Sequence, residues 1–194
     1  MPADDDTLRA ARRGDEGACR QLVDRLYPQV IAIIRKHRPN TEDEQDLAQE
    51  VFMKVFTKLE QYDARSPIEH WVSRIALNTC YDRLRHQRTR NRVVSYSDLN
   101  VDEAAFLESA LREQPVSTTP PSSSESASEL IEKLLQSLNP REQMAIRLLD
   151  LEERSVQEVC DLTGWGASKV KVTAMRARRK LTRALERLER DHSS

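Results

Sequence analysis

Apolar residues recur every three to four positions in one stretch of this chain after another, which is the spacing of amphipathic helices, and no stretch keeps the two-residue alternation of a strand. The clearest helix follows Thr41. Thr41 and Glu44 have the spacing of a capping box, and Leu47, Ala48, Val51, Phe52, Val55, Phe56 and Leu59 form one continuous stripe. Its other face carries Asp43, Asp46, Gln49, Glu50 and Lys54. Ahead of it the spacing predicts helices over 7–14 and 16–26, and a further one over 30–37 after Pro28. The next helix has Ser66 as cap, Pro67 in the first helical position and Glu69 completing a capping box, and would bury Ile68, Val72, Ile75, Ala76 and Thr79.

Towards the C-terminus the same signals predict four short helices. Ser126 and Glu129 start one over Leu130, Leu134 and Leu135; Asn139, Pro140 and Glu142 start another that buries Ala145, Ile146 and Leu149. Ser155 and Glu158 cap a third, which runs through Leu162 and ends at Gly164, the residue suited to a left-handed stop. The last starts near Gly166 or Ala167 and would bury Val170, Ala174, Ala177, Leu181, Ala184, Leu185 and Leu188. A short capped helix, a glycine turn and a longer helix make the outline of a helix-turn-helix.

Between the two helical regions, residues 115–128 read PVSTTPPSSSESAS, the composition of a flexible tether. Residues 99–112 fit a short acidic helix or extended chain equally. The expected architecture is therefore all-α: two small helical domains, 1–92 and 129–194, joined by a linker at 93–128, with the second domain a four-helix helix-turn-helix unit. A hydrophobic fraction of 38% in 194 residues suits two small cores better than one thick core.

Charge changes the picture only when read locally. The formal net charge is −1, from 31 basic and 32 acidic side chains. Yet the last helix gathers Lys169, Lys171, Arg176, Arg178, Arg179, Lys180, Arg183 and Arg187, and the helix after Pro67 ends in Arg83, Arg85, His86, Arg88, Arg90 and Arg92. Cations clustered on a helix displace condensed counterions from a duplex, so each domain carries a candidate DNA-binding element. The plainer alternative for the last helix is a helical hairpin whose charges solvate its outer face.

Several classes drop out. Asp4, Asp5 and Asp6 precede Leu8 where a secretion signal would be basic and then apolar, and no apolar run is long enough to insert into a membrane, so a cytoplasmic location is expected. Cys19, Cys80 and Cys160 are odd in number and far apart, which argues against a disulfide framework. His37, His70, His86 and His192 make no close ligand pair with them, so neither a metal nor another cofactor is expected.

With these motifs in place the chain resembles the bacterial extracytoplasmic-function sigma factors. Residues 45–52, Gln-Asp-Leu-Ala-Gln-Glu-Val-Phe, are similar to the acidic-Asp-Leu-x-Gln-Glu-x-Phe stretch of the family's region two. Residues 71–78, Trp-Val-Ser-Arg-Ile-Ala-Leu-Asn, with Asp82-Arg83-Leu84-Arg85, match its Trp-Leu-x-Arg-Ile-Ala-x-Asn and Asp-Arg-x-Arg pattern. Leu138-Asn139-Pro140-Arg141-Glu142, Val170-Lys171 and Arg176-Ala177-Arg178 resemble region four, in the family's order.

The resemblance implies a dissociable subunit of core RNA polymerase, with no catalytic residue or chemistry of its own, that recognises promoter DNA at minus-35 and minus-10 elements and nucleates strand opening. It implies that Asp46, Gln49 and Glu50 dock on the polymerase. Trp71, Arg74 and Asn78, with the loop 61–67 and the charges of Arg83 and Arg85, would serve the minus-10 element. Ser168, Lys169, Lys171, Val172, Arg176 and Arg178 would serve the minus-35 element, with Arg179 and Arg183 on phosphates and Trp165 a packing residue of the turn. It also suggests an anti-sigma partner. The loop departs from the family, ending in Ser66-Pro67-Ile68 where an aromatic is usual. Two other functions are open to such a chain: a stand-alone helix-turn-helix regulator, and a recombinase-like enzyme, for which a nucleophile with supporting arginines is missing.

Overall fold

A computed structural model describes residues 5–37, 43–94 and 123–192, and every regular element among them is helical. The helices are α1 (Asp5–Arg12), α2 (Glu16–His37), α3 (Glu44–Thr57), α4 (Ile68–Val94), α5 (Ser123–Ser137), α6 (Pro140–Ile146), α7 (Val156–Thr163) and α8 (Ala167–His192). A short 3-10 turn, Leu59–Gln61, follows α3, and a wider π-type turn, Arg147–Leu151, follows α6. The chain divides into two compact units, Met1–Gln87 with Ser155–Gly166, and Arg88–Arg154 with Ala167–Ser194. The expected tether falls mostly on residues 95–122, which lie outside the described residues, as does the undecided segment 99–112.

In the first unit α1 and α3 pack on α2, and α4 closes the bundle. The stripe expected of α3 is the stripe it buries: Leu47, Ala48, Val51, Phe52, Val55 and, in the following turn, Leu59 are all inside, with Phe56 half-buried. From α4, Ile68, Val72, Ala76 and Cys80 meet them. Thr79 is buried too, its hydroxyl donating to the Ile75 carbonyl at 2.8 Å and accepting from Lys54 Nζ at 3.2 Å.

Three local expectations are corrected here. Pro28 does not divide its segment, because α2 runs unbroken for 22 residues with Pro28 inside. A proline costs about 3 kcal/mol in a helix interior through its missing N–H and its clash with the preceding turn. Leu22, Leu26, Val30 and Ile34 are buried on the opposite side and Ile31 is buried beside them, and at roughly 1.5–3 kcal/mol for each such side chain the stripe outweighs the defect. The cap of α3 is Asp43, whose carboxylate accepts from the Gln45 and Asp46 amides, while Thr41 lies outside the described residues. Lastly, α4 begins at Ile68, one residue after the expected start, and Glu69 turns its carboxylate to Arg25 of α2 instead of back to Ser66. Gln29 fastens the same turn, donating through Nε2 to the Glu69 carbonyl at 2.9 Å.

In the second unit α5 and α6 brace α8. Leu135, Leu138, Ile146 and Ala177 form the centre, with Leu181 against them. Asn139 and Glu142 make the expected capping box at α6, and Pro140 takes its first turn. Two apolar expectations change: Leu130 and Leu185 are 39% and 41% exposed. The π-type turn widens the helix after Ile146, so Leu148 is buried and Leu149 only half-buried.

Candidate nucleic-acid interface

On α4 the residues at three- and four-residue steps fall on one face: Trp71, Arg74, Asn78, Tyr81 and Arg85. Arg74, Asn78 and Arg85 are exposed, whereas Trp71 and Tyr81 are half-buried. Trp71 is held from below by Tyr62, ring centroids 5.5 Å apart at a 50° tilt, and the Tyr62 hydroxyl donates to the Ser66 carbonyl at 2.7 Å. The loop is thereby tied to the base of the tryptophan, and Asp63 closes a turn within it by accepting from the Arg65 amide at 3.1 Å. Ala64 at its tip has φ 58°, a left-handed conformation that costs a non-glycine residue about 1 kcal/mol or more. Tyr81 is the member of this face that motif reasoning passed over; the period of the helix was the signal available.

Arg83 lies elsewhere. Its side chain crosses to α3, where Nε donates to a Glu50 oxygen at 2.8 Å, and Lys54 Nζ sits 2.8 Å from the other oxygen. Burial by itself would raise the Glu50 pKa, but the hydrogen bonds from Lys54 and Arg83 outweigh it and hold the carboxyl below its ordinary range. The structure thus joins a residue expected on polymerase to one expected on DNA. Asp46 and Gln49 are exposed on α3. Gln49 and Gln45 rim an apolar groove between α2 and α3, floored by Val23, Tyr27, Ala48, Phe52 and Phe56, with Met53 65% exposed at its edge.

The turn before α8 is built as expected. Ser155 Oγ accepts from the Glu158 amide at 3.2 Å and the Glu158 carboxylate accepts from the Ser155 amide at 2.8 Å. Gly164 ends α7 at φ 73°, its N–H donating to the Cys160 carbonyl at 2.8 Å. Trp165 is half-buried, and its amide donates to the Thr163 hydroxyl at 3.2 Å.

Along α8, Ser168, Lys169, Lys171, Val172, Arg176 and Arg178 are all exposed, and Val170, Ala174 and Ala177 turn inward. Arg178 forks onto Asp150, its Nε donating at 3.0 Å and its Nη2 at 2.5 Å; that hydrogen bonding raises the guanidinium pKa further. Lys180 reaches the buried Glu142 carboxylate at 3.2 Å. Met175, 43% exposed beside Val172 and Arg176, is a second residue that motif reasoning passed over.

The described residues contain no group of His, Cys, Asp and Glu able to hold a metal ion. No described helix is long and apolar enough to cross a membrane. What the two faces offer is cation, amide and aromatic surface, suited to phosphates and base edges.

Comparison with known proteins gives these faces a context. Residues 22–90 match the family model of sigma-70 region 2, and residues 128–181 match that of sigma-70 region 4. Among curated relatives, the chain is 28% identical over 182 residues to the ECF RNA polymerase sigma-E factor of Escherichia coli K12, covering 92% of each chain. It is 26% identical over 192 residues to the RNA polymerase sigma-H factor of Pseudomonas aeruginosa, covering 97% of this chain and 96% of the relative. In fold it is similar to the sigma factor RpoE of Bartonella quintana, solved with the anti-sigma factor NepR, at 21% identity and a TM-score of 0.53 over 86% of this chain and 96% of that one.

Proposed function

Since the chain belongs to the sigma-70 family, as an extracytoplasmic-function sigma factor that directs RNA polymerase to promoters, we propose that its two cationic helices divide promoter reading between them. In this reading residues 1–92 dock on core polymerase and read the minus-10 element, residues 129–194 read the minus-35 element, and 93–128 tether the two. Gln49, at the rim of the apolar groove, and the exposed Asp46 are the docking contacts, and Glu50 contributes charge nearby while orienting Arg83. Trp71, Arg74 and Asn78, with Arg85 further along the same face, meet the minus-10 element. Separating strands costs a few kcal/mol for each unstacked base, which stacking on an aromatic and hydrogen bonds to base edges offset.

On α8, Ser168, Lys169, Lys171, Val172 and Arg176 enter the major groove of the minus-35 element, where lysine and arginine can bridge guanine acceptors. Arg178, drawn to Asp150, serves a phosphate at the groove's edge. The observation that carries this reading is the pairing, in one chain, of two helices with exposed cations opposite a buried stripe, in the order of the two matched regions. A sigma factor of this kind is a natural target for an anti-sigma protein, and the exposed groove of the first unit is where such a partner would compete with polymerase.

The test is run-off transcription with purified core polymerase on promoters mapped after overproduction of the protein. Specific initiation that requires this chain is the expected result. Tight operator binding by the free chain, with no stimulation of polymerase, would instead favour a stand-alone regulator.

A further inference from the structure

The outer side of α8 has a crest distinct from its flanks. Val170, Ala174 and Ala177 fix the buried side, and at about 100° per residue the positions pointing straight away from it are Ser168, Val172, Met175 and Arg179, each of them exposed. Lys171 and Arg178 lie to one side of this line, and Lys169 and Arg176 to the other. The middle of the crest is apolar: Val172 is 42% exposed and Met175 43%.

Large apolar side chains left in water between two cationic rows need an occupant that is negative at both edges and apolar at its centre. Duplex DNA has that layout in the major groove, with phosphates along both walls and the thymine 5-methyl group on the floor. An apolar protein surface would satisfy the crest but offer nothing to the positive charge that flanks it. Spacing agrees as well, because residues three apart on a helix rise by about 4.5 Å and successive base pairs by about 3.4 Å, so Val172 and Met175 can address neighbouring steps.

We propose that Val172 and Met175 are specificity-determining residues which read the 5-methyl groups of thymines at two neighbouring base pairs, while the flanking cations hold the backbone. The inference rests on α8 being the minus-35 reader. It adds a preference for thymine that the basic residues alone would not produce.

The experiment uses the full chain bound to core polymerase and duplexes randomised over the minus-35 window, selected once with thymine and once with deoxyuridine, which lacks only the methyl. Thymine enriched at two neighbouring positions, and about fourfold weaker binding for each methyl removed there, is the expected result. Met175→Ala should abolish the methyl preference at one of the two positions, Val172→Ala at the other, and Met175→Leu should keep it. Both side chains are exposed, so unchanged melting temperatures are expected alongside.

Enrichment of a defined sequence that is indifferent to deoxyuridine, or unaltered by Met175→Ala, would overturn the inference and leave the minus-35 reading standing. Absence of any enriched sequence in that window would overturn both. Weakened assembly of Met175→Ala with core polymerase, with its base preference unchanged, would mark the crest as a protein contact and also overturn the inference.

Discussion

Arg83 and Glu50, one expected to meet DNA and the other polymerase, are partners across the α3–α4 interface, the arginine Nε donating to the carboxylate at 2.8 Å. Lys54 completes the site from the other side at 2.8 Å. A change at either end therefore acts on the bundle as well as on any partner. The two effects separate by experiment: Arg83→Ala should destabilise the fold by on the order of 1 kcal/mol while leaving the capture of core polymerase near its original level. Loss of polymerase binding without loss of stability would show Arg83 itself in that contact.

The same site sets a dependence on acid. Because the folded Glu50 carboxyl titrates below its ordinary value of 4.5, it contributes stability above that pH and loses the contribution as pH falls through the lower, folded value. Glu50→Gln should melt at a lower temperature than the parent at pH 7, and the difference should close as the pH is taken below 4.5. A difference that widens with acid would contradict the assigned direction.

Asp150 holds the Arg178 guanidinium through two hydrogen bonds, and under the proposed minus-35 reading it competes there with a DNA phosphate. Releasing Arg178 by Asp150→Asn should tighten binding of holoenzyme to promoter DNA and steepen the logarithmic salt dependence by up to about one unit. Filter binding at several salt concentrations would measure it. An unchanged slope would mean that Arg178 does not meet a phosphate.

Pro28 is exposed, and its neighbours on the opposite side of α2 are buried. Pro28→Ala restores an N–H donor to the helix without touching the core, so urea unfolding should show a gain of about 1–3 kcal/mol. A loss would mean that the proline helps to place Arg25 and Gln29 for their bonds to α4.

Gly164 makes the opposite case. A Cβ there would approach nothing closer than 3.9 Å, yet φ is +73°, so Gly164→Ala should cost about 1 kcal/mol of stability through conformation alone. Gly164→Asn, which tolerates the left-handed region better, should recover part of it.

The periodic part of this architecture was legible from residue spacing. The α3 stripe, the Asn139 and Ser155 capping boxes and the Gly164 stop are local patterns in which each residue's partner lies within a few positions. Pro28 misled because a local rule met a long-range one: the breaker was real, but the buried stripe on either side of it was stronger. Glu69 and Glu50 escaped for a related reason, since their partners Arg25 and Arg83 are 44 and 33 positions away and no helical period links them. Met175 was hidden by its chemistry. In sequence it reads as one more apolar residue of an amphipathic helix, and only burial separates an apolar residue facing a core from one facing water.

Cys80 is fully enclosed by the first bundle, and burial pushes its thiol up to about 12, so almost none of it is thiolate at neutral pH. Alkylating reagents and peroxide can reach that sulfur only in moments when the bundle comes apart, whereas Cys19 and Cys160 are partly accessible throughout. The protein consequently carries its own clock: the rate at which Cys80 is labelled, compared with that of its two siblings, counts how often this lobe breathes open, and a docked polymerase should slow the count.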